Sequence, residues 1–341
     1  MIKENTTWRT EALCNNHPFL LKPVGKDYLW GGTRLNDDFS KAIDMEPLAE
    51  TWECSTHPDG PSTVVTGDFA GLSLAEVLKM HPEFIGTHPR AGAELPILIK
   101  FIDAKKDLSV QVHPDDDYAK VHENGSLGKT EMWYVLDAAK GAKLIYGFHH
   151  DMTKEALRRS VLNGTVEKYL QKIRIKKDDV FYIAAGQVHA IGAGALIAEI
   201  QESSNLTYRL YDYNRVDKHG NHRELHVEKA LDVADLSGGS EPKQPMRVLR
   251  FRMGFATELL CRCKYFQVER MILNTERCRK MADFHTEKNS FQALLCTDGC
   301  GVLFWGKGEL MNFYRGDCIF VPADSVQLKI HGRAQLLKVG C

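Results

Sequence analysis

The chain has 341 residues, enough for two domains of ordinary size, with 43% hydrophobic and 26% charged residues, the balance of a globular protein. Lys+Arg 44 against Asp+Glu 45 leaves a net charge of −1, so no global field recruits nucleic acid or a membrane surface. The N-terminus lacks an apolar core of signal-peptide length, no run reaches membrane-spanning length, and nine scattered cysteines suggest reduced thiols; a cytoplasmic location is expected.

Turn residues punctuate short apolar runs along most of the chain, which predicts a mainly β protein with a few helices. Strands are expected at 62–65, 95–102, 143–146 and 195–200. Helical periodicity at 73–80, with Ser73 placed to cap it, predicts one helix. A second helical stretch is predicted over roughly 153–173, with a break at Asn163-Gly164. The segment LSGGSEPKQP (236–245) has linker composition, and beyond it strand-like runs resume at 266–273, 291–296, 301–305, 318–322 and 334–339. This divides the chain into residues 1–240 and a second β-barrel over 241–341.

Four residues read as one metal site. Gln111 and His113 lie two apart in the strand-like LSVQVH (108–113), so both side chains share a face. Glu131 precedes the strand-like MWYVL (132–136), and His189 follows DDVFYIAAGQV (178–188), a strand leading into a glycine-containing turn. Mixed nitrogen and oxygen donors on three strands suit zinc or another divalent first-row metal. Most of the 14 histidines are surface or structural, and any one alone would carry no such argument.

DDVFYIAAGQVH (178–189) has an echo in GDCIFVPADSVQ (316–327), where Gln327 stands in place of the histidine. The metal is therefore assigned to the first domain only. GVLFWGKG (301–308) imitates a phosphate loop, but its interior reads as strand and Gly308 replaces the hydroxyl residue. His222 and His226 have helical chelate spacing but no third ligand, and a solvated helix start before Val227 is the better reading.

Seven ordered segments resemble the mannose-6-phosphate isomerase family, in its short bacterial, zinc-dependent cupin form. They are KPVGKDYLWGG (22–32), AETWECSTHP (49–58), PILIKFIDA (96–104), LSVQVHP (108–114), GKTEMWY (128–134), GQVHAI (186–191) and TYRLYDY (207–213). The likeness is strongest over residues 18–235. It implies two cupin domains, the second degenerate and without ligands, and interconversion of mannose 6-phosphate with fructose 6-phosphate. It implies one Zn2+ per chain, held by Gln111, His113, Glu131 and His189. Lys100, Lys129, Arg209 and Glu199 match charged positions of that active site.

Two departures stand out. Gly128-Lys129 replaces a His-Lys of longer relatives, so no role of that histidine transfers. Ala184-Ala185 replaces the usual proline-bearing turn, which loosens the turn while keeping His189. The helical insert of the longer enzymes is also missing.

The isomerisation moves a proton between C1 and C2 through an enediolate. A cation such as Arg209 then suits the developing oxyanion. The base is Lys129, Glu199 or a metal-bound water; a dication beside Lys129 would depress its pKa as a base requires. Lys100 and Ser109 suit the phosphate. A metal-dependent cupin oxygenase is the main rival, because His113, Glu131 and His189 alone form a two-histidine, one-carboxylate set. A non-catalytic sugar-binding cupin ranks last, because it would need neither Lys129 nor Arg209. The partner is thus a small sugar phosphate, with no nucleic acid or membrane, and the oligomeric state is left open.

Overall fold

A computed structural model describes residues 16–88, 94–216, 219–239, 241–242 and 246–341. Its strands assemble into three antiparallel sheets, with few helices, as the mainly β reading expects. Six strands pair in the order Val180–Ile183, Glu131–Ala138, Ala195–Glu202, Ile97–Ala104, Glu50–Cys54 and Val24–Lys26. Five more pair in the order Tyr208–Tyr211, Val110–Val112, His189–Ile191, Lys143–Phe148 and Leu170–Arg174. Side chains from both sheets, among them Ile102, Trp133, Ile197, Leu144, Tyr146 and Ile191, form one buried cluster between them. Alternation along each strand sends every second residue into this space.

The third sheet has ten strands. Most come from residues 250–340, but Phe19–Lys22 and Thr63–Val64 join its edge, with Leu20 opposite Ile319 and Leu21 opposite Val64. The sheet curls around its own apolar cluster of Leu294, Leu303, Phe313, Ile319, Ile330 and Leu336. A larger cluster joins the halves: Ile99, Met132, Tyr134 and Ile200 from the outer face of the six-stranded sheet meet Val268, Leu295, Phe320 and Leu337.

Ser73 caps the helix Leu74–Met80 in a full capping box: its Oγ accepts from Glu76 N at 3.2 Å, and Glu76 Oε2 accepts from Ser73 N at 2.8 Å. The second predicted helix is only half right. It runs Lys154–Leu162 behind a Thr153 cap and stops at Gly164, whose φ is +64°. Residues Leu170–Arg174 are a strand paired with Lys143–Phe148, not helix. Beyond the glycine, a short alternating run on a sheet edge outweighs helical propensity.

The start of the predicted linker is docked on the first half, where Gly239 N donates to Phe148 O at 2.9 Å. A side chain at Gly238 would meet the His150 backbone at 2.0 Å, which explains the glycine. Residues 240 and 243–245 of that segment lie outside the described residues. The phosphate-loop imitation is the hairpin between strands Gln292–Trp305 and Glu309–Tyr314. His226 stands at the N-cap position of the helix Val227–Val233 with its Nδ1 accepting from Arg209 N at 3.2 Å, and His222 Nδ1 lies 3.0 Å from Arg215 O, so these two histidines have separate partners. No disulfide joins the eight described cysteines to one another. Among the described residues, no helix is long and apolar enough to cross a membrane.

Candidate metal centre and active site

Strand register builds the site from two rows of side chains. On the five-stranded sheet, Tyr146, His189, Gln111 and Arg209 are successive cross-strand partners. On the six-stranded sheet, Trp133, Glu199, Lys100 and Trp52 are likewise successive partners. Directly opposed residues share a face, so each row points one way. His113 lies two residues beyond Gln111 and Glu131 two before Trp133, which adds both to the same interior.

The expected metal-binding residues converge. His113, Glu131 and His189 are buried, and their candidate donor atoms all lie within 4.8 Å of one another. Glu131 Oε1 is 3.2 Å from His113 Nε2, and Glu131 Oε2 is 3.8 Å from His189 Nε2. The Gln111 amide nitrogen is 3.5 Å from His113 Nε2 and 3.4 Å from His189 Nε2. Rotating that amide by a half turn presents its oxygen to the same point.

The donor chemistry fits a divalent cation. His189 Nδ1 lies 2.7 Å from Gln187 O, so its N–H donates there and Nε2 keeps its lone pair for a metal. Burial, reinforced by the Lys129 ammonium, pushes His113 down to about 3, and burial also lowers His189, so both rings are neutral. Burial opposes ionisation of Glu131, but the Lys129 ammonium against it holds its pKa well below the usual carboxylate range. The set already takes a cationic group: the Lys129 ammonium contacts Glu131 Oε1 and lies 3.1 Å from His113 Nε2.

Beside the donors lies a cavity of about 320 Å³, lined by Lys100, Ser109, Gln111, Lys129, Glu199 and Arg209 among others. The structure therefore brings every predicted site residue to one place. Lys100 is buried mid-strand, 3.1 Å from Glu199 Oε1 and 3.6 Å from Glu50 Oε2. Burial opposes its charge, but Glu50 and Glu199 hold its pKa above the usual lysine range. Burial, with the Glu131 carboxylate nearby, pushes Glu199 up. Ser109 Oγ is 3.5 Å from the Gln111 amide oxygen.

Arg209 differs from the other cations of the cavity. Lys100, Lys129 and Arg223 each pair with a carboxylate, Arg223 with Asp212 at 2.6 Å. Among the described residues no carboxylate lies within ion-pair distance of Arg209, whose Nη1 donates to the Glu224 carbonyl at 2.8 Å and whose buried Nε has no partner. Burial and the neighbouring Arg223 lower its pKa, yet a guanidinium remains charged.

Sequence reasoning passed over three contributors. Trp133 Nε1 lies 3.1 Å from Glu131 Oε2 and 2.9 Å from Glu199 Oε2, tying a metal-site carboxylate to a cavity carboxylate. Its spacing of two from Glu131 was the available signal. Glu50 accepts from Trp52 Nε1 at 2.8 Å and completes the Lys100 pairing. Arg223 arrives from a distant loop and left no local signal.

Comparison with known proteins agrees with this geometry. A family description, phosphomannose isomerase type I, catalytic domain, matches residues 19–142, which hold Gln111, His113 and Glu131. Mannose-6-phosphate isomerase ManA of Bacillus subtilis (strain 168) is 37% identical over 320 residues, 94% of this chain and 98% of that protein. The probable mannose-6-phosphate isomerase GmuF of the same organism is 49% identical over 217 residues, 64% of this chain and 68% of that protein. A crystal structure of the mannose 6-phosphate isomerase from Bacillus subtilis superposes with a TM-score of 0.86 at 36% identity, covering 94% of this chain and 99% of that one.

Proposed function

This chain belongs to the mannose-6-phosphate isomerase family, and we propose that it interconverts mannose 6-phosphate and fructose 6-phosphate in the cavity beside the metal centre. The carrying observation is the pair of facing rows, which sets a metal-donor cluster beside a cation-rich cavity with one guanidinium free of any carboxylate. His113, Glu131, His189 and Gln111 would hold the ion, with zinc suited to their nitrogen and oxygen donors. When bound, such an ion polarises the sugar oxygens as a Lewis acid.

The chain's own residues supply the rest. Arg209 is the cross-strand neighbour of Gln111, so its charge stands beside the metal donors, where the enediolate oxygen gains charge. Glu199 takes the proton as the C2–H bond of the aldose breaks and returns it to C1, while the hydroxyl proton passes from O2 to O1; the raised proton affinity of Glu199 suits a shuttle. Lys129, at the donors themselves, holds positive charge beside the same carbons. Lys100 and Ser109 receive the phosphate, for which Lys100 exchanges its longer pairing with Glu50 for phosphate oxygens. The cavity belongs to a metal-binding cupin drawn from residues 1–240, less the strands Phe19–Lys22 and Thr63–Val64, which join a ligand-free cupin over 241–341, and a cytoplasmic setting suits this reading.

The test is direct. Zinc-loaded protein is incubated with mannose 6-phosphate and fructose 6-phosphate is followed, with a chelated sample as control. Chelator-sensitive conversion is expected. Absence of conversion by protein carrying one zinc per chain would overturn the assignment and direct attention to oxygen-dependent chemistry.

A further inference from the structure

The strand Glu131–Ala138 has two working faces. Glu131 and Trp133 point into the metal-bearing barrel, whereas Met132, Tyr134 and Leu136 point into the cluster shared with the C-terminal sheet. Tyr134 is fully buried there, yet its hydroxyl is fully used. It donates to Asp178 Oδ1 and accepts from Arg270 Nη1 at 3.1 Å and from Gln335 Nε2 at 2.9 Å. A phenol has one proton and two acceptor lone pairs, so this count is complete.

Both partners that donate to it come from the C-terminal sheet, and both are themselves fixed. Arg270 is held by Glu258 at 2.5 Å and Asp178 at 3.0 Å, and Gln335 donates also to Thr297 Oγ1 at 3.0 Å. Arg247 spans the same group, donating to the Asp178 carbonyl at 2.6 Å and pairing with Glu258 at 2.7 Å. Asp178 stands at the turn into Val180–Ile183, the strand paired with Tyr134's own, and that strand leads to His189. The C-terminal sheet thus grips the back of the strand that carries Glu131 and the start of the one that leads to His189.

We infer that Tyr134, clamped by Arg270 and Gln335, is a positioning residue for the metal centre, and that this clamp is a task of the C-terminal half. Tyr134 stands about 10 Å along the strand from Glu131 at the usual rise per residue. Between them, Trp133 lies 3.1 Å from Glu131 and 2.9 Å from Glu199, so a small shift of the strand opens both contacts. Partners that orient metal ligands typically tune affinity by about 10–100-fold, and a clamp one step further out belongs at the lower end.

The inference rests on the metal-binding reading, so the test reads metal affinity separately from turnover. Zinc affinity is measured by chelator competition for the parent, Tyr134→Phe and Gln335→Leu, with kcat, KM and Tm alongside. Both variants are expected to bind zinc roughly tenfold more weakly and to lose kcat severalfold with little change in KM. Ile330→Val, a buried change in the C-terminal core away from the clamp, is expected to lower Tm without moving zinc affinity. Zinc affinity within twofold of the parent in both clamp variants overturns the inference, even if their Tm falls. A parent that binds no zinc removes the metal reading itself, and the inference with it.

Discussion

Two stretches of this chain share a plan and diverge at one side chain. Residues 178–189 and 316–327 each run from a polar turn through a strand, Val180–Ile183 or Cys318–Val321, into a second turn. At the same aligned position of that turn, Gly186 and Asp324 both take positive φ, +86° and +53°. The backbone device is kept in both halves, but the residue it delivers is not. His189 is fully buried among metal donors, whereas Gln327 is exposed, and the second barrel is filled instead by Leu294, Phe313, Ile319 and Leu336. A barrel can close over apolar side chains alone. One that closes over Glu131 must give the charge a partner, because a buried unpaired carboxylate is costly.

The sharpest way to break this comparison is a matched pair of substitutions. His189→Ala should abolish tight zinc binding and, with it, isomerisation, while the fold persists. Gln327→Ala, at the aligned position, should leave activity alone and shift stability by no more than about 0.5 kcal/mol, as exposed changes usually do. Metal analysis and thermal denaturation of both variants decide it. A full equivalent of zinc on His189→Ala removes that residue from the ligand set.

Next in size is Arg209→Ala. The removed charge is expected to act where the oxyanion develops, so kcat should fall by roughly 100-fold or more while bound zinc is unchanged. Steady-state kinetics beside metal analysis checks this, and an unchanged kcat would sink the role. The contrast with His189→Ala separates holding the metal from stabilising the charge.

Much of this was legible in the sequence because alternation is a local signal. LSVQVH gives Gln111 and His113 one face without any knowledge of the fold, and KTE (129–131) does the same for Lys129 and Glu131. The resemblance carried by seven ordered motifs grouped residues from distant strands into one site, but the pairing of those strands was not legible. The 170–174 strand was misread because a short edge strand and the end of a helix look alike over five residues. The joining of Phe19–Lys22 and Thr63–Val64 to the C-terminal sheet, and the grip of Arg270 and Gln335 on Tyr134, depend on three-dimensional neighbours alone.

The smallest effect concerns the strap beside the cavity mouth of the first barrel. Asp212 is nearly buried and takes Arg223 at 2.6 Å and, at a shorter contact, Arg215, whose Nη1 also donates to Asp107 O at 2.5 Å. Burial opposes its charge, but the two guanidinium groups hold its pKa below the usual aspartate value. An acid with a depressed folded pKa binds fewer protons folded than unfolded, so its stabilisation is complete above the unfolded value of about 3.9. It drains away as pH falls through the lower folded value. Asp212→Asn should therefore cost about 1–3 kcal/mol at pH 7, the range for a buried charged hydrogen bond left half made. The gap to the parent should close in acid below about pH 3.9, a trend that denaturant titrations at a series of pH values can follow. Because Arg223 lines the cavity, the same variant should raise KM more than it lowers kcat. A stability gap that stays constant down to acid pH would show that Asp212 acts through packing rather than through its charge.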